Sequence, residues 1–188
     1  VDLEELYCKH AEANFDLDVI NNSDMNFAYD AMFGSGMNAI KRLLPSATLL
    51  HCGDNPGFLG ISPEPIHRNL QEFSDLIKNN NLDCGLATDG DADRIGLYDS
   101  KGNFVDSHHI ILLLIHYMVK YKGMKGKVVT AFSCSVKVEQ MCKHYGLEQG
   151  LVQAINAGVD ILIYGNQLGE DAATPNELID LIETNVIK

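Results

Sequence analysis

Short apolar runs alternate with longer amphipathic segments along most of this chain. The short runs predict strands, which we place over 26–30, 48–52, 82–88, 95–98 and 127–132. Apolar residues at helical spacing predict helices over 37–44, 67–78, 108–121 and 136–145. Strands and helices that alternate at these lengths form βαβ units. The predicted fold class is therefore α/β, with mixed, largely parallel sheet layers that carry helices on both faces.

The pattern divides into two predicted domains, the first over 1–105 and the second over 106–188. The last part of the chain continues the alternation. It predicts a helix after residue 150, a strand over 160–164, a polar loop and a final helix from about Pro175.

The composition is that of a folded protein, because 46% of the 188 residues are hydrophobic and can form a core. The net charge of −12 argues against nucleic acid or an anionic membrane as a partner, since both would repel it. The five cysteines include no Cys-x-x-Cys pair, which is typical of reduced thiols in a cytoplasmic protein. The longest apolar run, over 110–115, is far shorter than the roughly 20 residues of a membrane span. We therefore expect a cytoplasmic location, and the sequence leaves the oligomeric state open.

The most informative segment is Asp-Gly-Asp-Ala-Asp-Arg at 89–94, directly after a predicted buried strand. Its carboxylates would repel one another, and a hard divalent cation such as Mg²⁺ removes that repulsion. The predicted metal ligands are Asp89, Asp91 and Asp93. Arg94 is the predicted catalytic residue, because its planar guanidinium matches a pair of phosphate oxygens. The alternative is a solvated acidic turn without a metal.

A calcium-binding EF-hand is not expected at this loop. That motif requires Gly at loop position six and Glu at position twelve. Here those positions hold Arg94 and Ser100.

The chain resembles the α-D-phosphohexomutases, the phosphoglucomutase/phosphomannomutase family. Three stretches carry the resemblance: Asp-Ala-Met-Phe-Gly-Ser-Gly at 30–36, the segment 58–70 with Pro-Glu-Pro at 63–65, and the segment 83–94. The segment 127–146 looks like the strand and helix that open the family's third domain. The resemblance covers about 1–148. It implies that 1–105 is the family's second, metal-binding domain and that 106–188 is part of the third, with an atypical tail from about 149.

The resemblance also implies an activity for the parent protein. Enzymes of this family are isomerases that move a phosphoryl group between the 1- and 6-positions of a hexose phosphate. By this resemblance, Asp89, Asp91 and Asp93 would hold Mg²⁺. The fourth ligand would be a phosphoserine from the first domain, since the family's enzymes are phosphoproteins. Arg94 would assist at that phosphoserine. The expected partner is thus a hexose phosphate, and the sequence does not select glucose, mannose or glucosamine.

Several family features are absent from this sequence. The phosphoserine motif, Ser followed by His-Asn, does not occur, and the nearest string, Ser-His-His at 107–109, is predicted to open a helix. The segment 169–174 begins with Gly-Glu like the family's sugar-binding loop but lacks its Ser-Gly. The segment 154–166 is briefly similar to a strand of family 3 glycoside hydrolases, without a matching catalytic pair. We therefore expect a fragment that is inactive alone.

Two other functions are compatible with parts of the sequence. The segment 34–39 fits the dinucleotide fingerprint G-x-G-x-x-A, and Asp54 follows about 20 residues later. However, three residues separate the predicted strand from Gly34, where that fingerprint requires an immediate turn. The second alternative is a structural α/β module without activity.

Overall fold

The computed structural model describes residues 1–130 and 134–149. The chain divides into two compact units, Val1–Ile110 and Ile111–Lys188, which are described separately below. The strand and helices predicted after residue 150 lie outside the described residues, as do positions 131 and 132 of the predicted strand over 127–132. The predicted domain limits at 105 and 106 stay a prediction.

Within the first unit, five strands form one mixed sheet in the order β2-β1-β3-β4-β5. Strand β1 pairs in parallel with β2 and β3, whereas β4 pairs antiparallel with β3 and β5. The strands are β1 (Phe27–Asp30), β2 (Thr48–Leu50), β3 (Cys84–Thr88), β4 (Ile95–Asp99) and β5 (Phe104–Val105). This arrangement confirms the predicted α/β fold with a mixed sheet. Strand β5 was not predicted.

The connections explain which strands are parallel. A parallel crossover requires a dozen or more residues, and helices occupy the connections from β1 to β2 and from β2 to β3. Only residues 89–94 join β3 to β4, so these two strands form an antiparallel hairpin. The carboxyl ends of β1, β2 and β3 consequently share one edge of the sheet. The chain connects β1 to β2 on one side of β1 and then returns to β3 on the other side, so a topological switch point lies at β1. Open α/β sheets bind ligands at such a switch point.

The first unit contains helices α1 (Leu3–Asn14), α2 (Leu17–Asn21), α3 (Gly36–Leu43) and α4 (Gln71–Asn79). The crossover from β1 to β2 and the crossover from β2 to β3 run in opposite directions across the sheet. Because such crossovers are right-handed, α3 and α4 lie on opposite faces of the sheet. The sequence pattern did not reveal α1, since only Cys8 and Ala11 of this helix are buried. The side chain of Asp2 caps it by accepting the backbone N–H of Glu5 at 3.0 Å.

Helix α4 packs the main core of this unit against the sheet. Phe73 and Ile77 are fully buried, and the Phe73 ring meets the Tyr98 ring edge to face at 5.7 Å. Gly85 on β3 makes this close approach possible, because a Cβ there would lie 2.7 Å from the Phe73 ring. The predicted helix over 67–78 is divided into a 3₁₀ turn, His67–Asn69, and α4. The buried members of the core cluster are Ala28, Met32, Leu70, Phe73, Ile77, Leu82, Ala87 and Tyr98.

The second unit has its own small core, made by two helices. Ile115 packs with Val138 and Cys142. Its described elements are α5 (Ser107–His116), which begins in the first unit, a π-helical turn (Tyr117–Tyr121), β6 (Lys127–Val128), α6 (Val136–Tyr145) and β7 (Glu148–Gln149). Strands β6 and β7 pair in parallel. Among the described residues, no helix is both long and apolar enough to cross a membrane.

Candidate metal centre

The acidic loop between β3 and β4 brings three carboxylates together. One oxygen from each of Asp89, Asp91 and Asp93 lies within 4.8 Å of the others. Asp89 is buried at 1% exposure, whereas Asp91 and Asp93 are exposed. The left-handed backbone of Ala92, with φ of 60°, turns the loop between these two exposed side chains. The site therefore combines one fixed carboxylate with two that face solvent.

Hydrogen bonds fix the carboxylate of Asp89. Its Oδ1 accepts the backbone N–H groups of Asp93 at 2.9 Å and Arg94 at 3.0 Å, and its Oδ2 accepts Nε of Arg94 at 2.6 Å. Burial acts to raise the pKa of Asp89, but the backbone and side chain of Arg94 hold the pKa at about 2. Each carboxylate oxygen can accept about two hydrogen bonds, so Oδ2 keeps one lone pair available for a cation.

The two exposed carboxylates show the repulsion that the sequence predicted. The negative charge of Asp91, followed by the hydrogen bond and the charge of Asp89, raises the pKa of Asp93. A divalent cation among these groups would relieve that repulsion, and a set of carboxylate oxygens on a compact loop suits Mg²⁺. The residues present therefore fit the predicted cofactor by their chemistry.

Arg94 lies beside the carboxylates and contacts Asp89 through its Nε. Its Nη1 is 3.6 Å from Oε1 of Glu64, and its side chain is 58% exposed. The hydrogen bond and charge of Asp89 raise its pKa, so the guanidinium is charged. The structure thus brings the four predicted site residues together, and their roles in metal binding and catalysis stay predictions.

A second group of polar residues occupies the same sheet edge, and the sequence did not indicate it. Nδ1 of His51 lies 3.0 Å from Oδ1 of Asp30, which also accepts the backbone N–H of Met32 at 2.8 Å. Burial raises the pKa of Asp30, although the N–H of Met32 and His51 oppose the increase. The available signal was the position of Asp30 at the end of a buried strand, where the carboxyl edges of parallel strands meet.

The comparison with known proteins assigns the fold and the loop to a family. A family model described as phosphoglucomutase/phosphomannomutase, alpha/beta/alpha domain II, matches residues 5–102, just over half of the chain. The chain belongs to the phosphoglucomutase/phosphomannomutase family. The resemblance inferred from the sequence is thereby confirmed.

Similar proteins of this family are named as mutases. The chain is 39% identical over 92 residues to the probable phosphoglucosamine mutase of Pyrococcus furiosus, a match that covers 49% of this chain and 20% of that protein. It is 28% identical over 137 residues to the corresponding protein of Pyrococcus horikoshii, covering 69% of this chain and 30% of the relative. The chain therefore spans about a fifth to a third of the length of these relatives.

A solved structure supports the same fold. The crystal structure of a putative phosphomannomutase from Thermus thermophilus matches with a TM-score of 0.72 and 27% identity. The match covers 79% of this chain and 36% of that chain. The names of these relatives support an isomerase class for the parent family.

The structure gives the glycines of the dinucleotide fingerprint a packing role. A Cβ at Gly36 would overlap the hydroxyl of Tyr29, which is hydrogen bonded to Oγ1 of Thr88 at 2.6 Å. A Cβ at Gly34 would lie 2.6 Å from the carbonyl oxygen of Asp89. Gly36 thus packs against Tyr29 of β1 and Thr88 of β3, whereas Gly34 packs against the acidic loop. The family comparison does not favour the dinucleotide alternative.

The remaining family-like strings give no further site among the described residues. Ser107 opens α5, and Asp106 caps this helix by accepting the backbone N–H of His109 at 3.0 Å. The predicted role of Ser-His-His at 107–109 as the start of a helix is confirmed. The segment 169–174 lies outside the described residues.

Proposed function

We propose that this chain supplies the metal-binding loop of a phosphohexomutase, an isomerase that moves a phosphoryl group within a hexose phosphate. In this proposal Asp89, Asp91 and Asp93 hold Mg²⁺ and Arg94 binds phosphoryl oxygens. The convergence of the three carboxylates beside Arg94, at the carboxyl edge of a domain of this family, is the observation that supports it.

Each residue of the loop has a distinct task in this proposal. When bound, Mg²⁺ would neutralise charge on the transferred phosphoryl group. Asp89 is ionised and held in place by three hydrogen bonds, so it provides a ligand that needs no rearrangement. Asp91 and Asp93 complete the protein ligands from the solvent side. The Nε contact of Arg94 with Asp89 holds the guanidinium beside the loop. Its terminal nitrogens, of which Nη1 is 3.6 Å from Glu64, would orient phosphate oxygens.

The parent enzyme requires further groups that this loop does not supply. We propose that a phosphoserine of the parent protein completes the metal site, and that this chain alone is inactive because its sequence has no Ser-His-Asn motif. The relatives are named for phosphoglucosamine, phosphomannose and phosphopentose, and we propose a sugar phosphate without choosing among them. We also propose a cytoplasmic location without nucleic acid or membrane partners, since all five cysteines are free and the net charge is −12.

A metal titration tests the proposal directly. We expect Mn²⁺, used as a probe for Mg²⁺, to bind the chain saturably in calorimetry, and Asp91→Asn to weaken that binding at least about tenfold. Asp24→Asn is the matched control, because it removes the same charge from an exposed position outside the loop. Wild-type chain that binds no Mn²⁺, or an Asp91→Asn variant that binds equally well, would contradict the proposal.

A further inference from the structure

The acidic loop is held between two other loops through the backbone of Gly90. The N–H of Gly90 donates to the carbonyl oxygen of Pro63 at 3.2 Å, and its carbonyl oxygen accepts the N–H of Ser35 at 3.0 Å. Both the N–H and the carbonyl oxygen of Gly90 are therefore hydrogen bonded to segments distant in sequence. Gly90 lies between the predicted ligands Asp89 and Asp91, so a movement of either segment reaches both ligands.

Gly34 sets how closely the segment 30–36 approaches the acidic loop. A Cβ at this position would lie 2.6 Å from the carbonyl oxygen of Asp89 and 2.8 Å from that of Gly90. Atoms of the backbone cannot rotate away from such a contact. Gly34 is not among the glycines with positive φ, so alanine is excluded by the contact and not by backbone conformation.

Pro63 also lies against the acidic loop. A Cβ at Gly90 would lie 3.2 Å from Cγ of Pro63, and the carbonyl oxygen of Pro63 accepts the N–H of Gly90. Pro63 therefore contacts the loop through both its ring and its backbone. Any side chain added at position 34 has to distort the loop itself.

We infer that Gly34 and Ser35, together with Pro63, are positioning residues that set the spacing of the metal ligands. This inference rests on the proposed function, because it assigns these residues to the same metal site. Mg²⁺ requires near-ideal octahedral geometry at about 2.0–2.1 Å, whereas Ca²⁺ accepts flexible geometry at about 2.3–2.6 Å. Displacement of the Asp89–Gly90 peptide consequently weakens Mg²⁺ binding more than Ca²⁺ binding.

The experiment compares the two metals in the same variants. The affinities of Mg²⁺ and Ca²⁺ are measured by displacement of Mn²⁺ from the full chain, with chemical denaturation as a measure of folding. We expect Gly34→Ala to weaken Mg²⁺ binding about tenfold and Ca²⁺ binding about threefold or less. Gly53→Ala is the matched control, because a Cβ at Gly53 meets no atom within 4 Å. It should leave both affinities unchanged.

A second pair of variants tests the hydrogen bond to Gly90 if Gly34→Ala fails to fold. Ser35 has a φ of −63°, which proline adopts, so Ser35→Pro keeps this dihedral angle and removes the N–H. The proline Cδ then lies where the N–H pointed and displaces the carbonyl oxygen of Gly90. Ser35→Ala keeps the N–H and removes only an exposed side chain. We expect Ser35→Pro to show the selective loss of Mg²⁺ affinity and Ser35→Ala to bind both metals like the wild type.

The outcomes separate this inference from the proposed function. A wild-type chain that binds no metal overturns both. If the wild-type chain binds Mg²⁺, two results overturn the inference and leave the proposed function standing. In the first, the folded variants Gly34→Ala and Ser35→Pro bind Mg²⁺ as tightly as the wild type. In the second, these variants lose affinity for Mg²⁺ and Ca²⁺ to the same extent. A selective loss of Mg²⁺ affinity in either folded variant supports the inference.

Discussion

At the residue scale, Asp89 and Asp99 accept similar backbone hydrogen bonds through Oδ1 but differ in the partner of Oδ2. Oδ1 of Asp99 accepts the N–H groups of Lys101 at 2.9 Å and Asn103 at 2.8 Å, much as Oδ1 of Asp89 accepts two N–H groups in its own loop. Oδ2 of Asp99 is taken by the side-chain amide of Asn103, so Asp99 only stabilises a turn. Oδ2 of Asp89 instead accepts Nε of Arg94, and one of the two Asp89 oxygens lies within 4.8 Å of oxygens of Asp91 and Asp93. The local sequence supports the turn in both cases, and the neighbours decide the chemistry.

Asp99 gives a prediction about stability and pH. The backbone N–H and then the side chain of Asn103 lower its pKa in the folded state. Its stabilisation is therefore fully present above the unfolded pKa of about 3.9 and is lost as the pH falls through the lower folded value. We expect Asp99→Ala to reduce the free energy of unfolding by about 1 kcal/mol at neutral pH, and by less at pH 3.

Urea denaturation at the two pH values measures this effect. Asp24→Ala, at an exposed position, is the control and should change the free energy of unfolding by less than about 0.5 kcal/mol. A difference between Asp99→Ala and wild type that does not shrink in acid would contradict the assignment.

At the scale of elements, the first unit depends on how α4 meets the sheet. Phe73 and Ile77 pack over Gly85, and a larger residue on β3 at that position would separate the helix from the strands.

We predict a large effect when this packing is removed. Phe73→Ala deletes a fully buried ring that contacts Tyr98, and we expect it to lower the free energy of unfolding by about 3–4 kcal/mol. Phe15→Ala is the matched control, because Phe15 is 66% exposed, and it should cost less than about 1 kcal/mol. Both values come from urea denaturation, and equal losses would contradict the described core.

At the scale of the whole molecule, the acidic loop lies within the segment 5–102 that the family model matches. The relatives are three to five times as long as the matched part. The proposed function therefore assigns turnover to the parent protein and assigns to this chain the three carboxylates with Arg94 beside them.

The corresponding prediction concerns activity. We expect the purified chain to show no detectable interconversion of glucose 1-phosphate and glucose 6-phosphate in the presence of Mg²⁺. Turnover after addition of a separately expressed first domain of a parent phosphohexomutase would support the proposal, because that domain would bring the phosphoserine. A coupled enzymatic assay measures both, with Asp91→Asn as the inactive control. Turnover by the chain alone would contradict the expectation.

The sequence by itself determined the features that depend on neighbouring residues. Alternating apolar runs and helical spacing predicted β1, β3, β4 and α6 to within one or two residues at each end, because strand and helix periodicity are local properties. The acidic loop was recognisable for the same reason, since its three carboxylates and Arg94 are contiguous. Helix α1 escaped prediction because it buries too few residues to leave a clear apolar stripe.

Only the tertiary structure decided which distant segments hold the loop and which polar groups pair. Nothing in the local sequence joins Ser35 and Pro63 to Gly90, or His51 to Asp30, because hydrogen bonds between loops depend on strand order and register. The sequence therefore specified the chemical groups of the site. The mixed sheet specified their spacing, since it places the ends of β1 and β3 side by side.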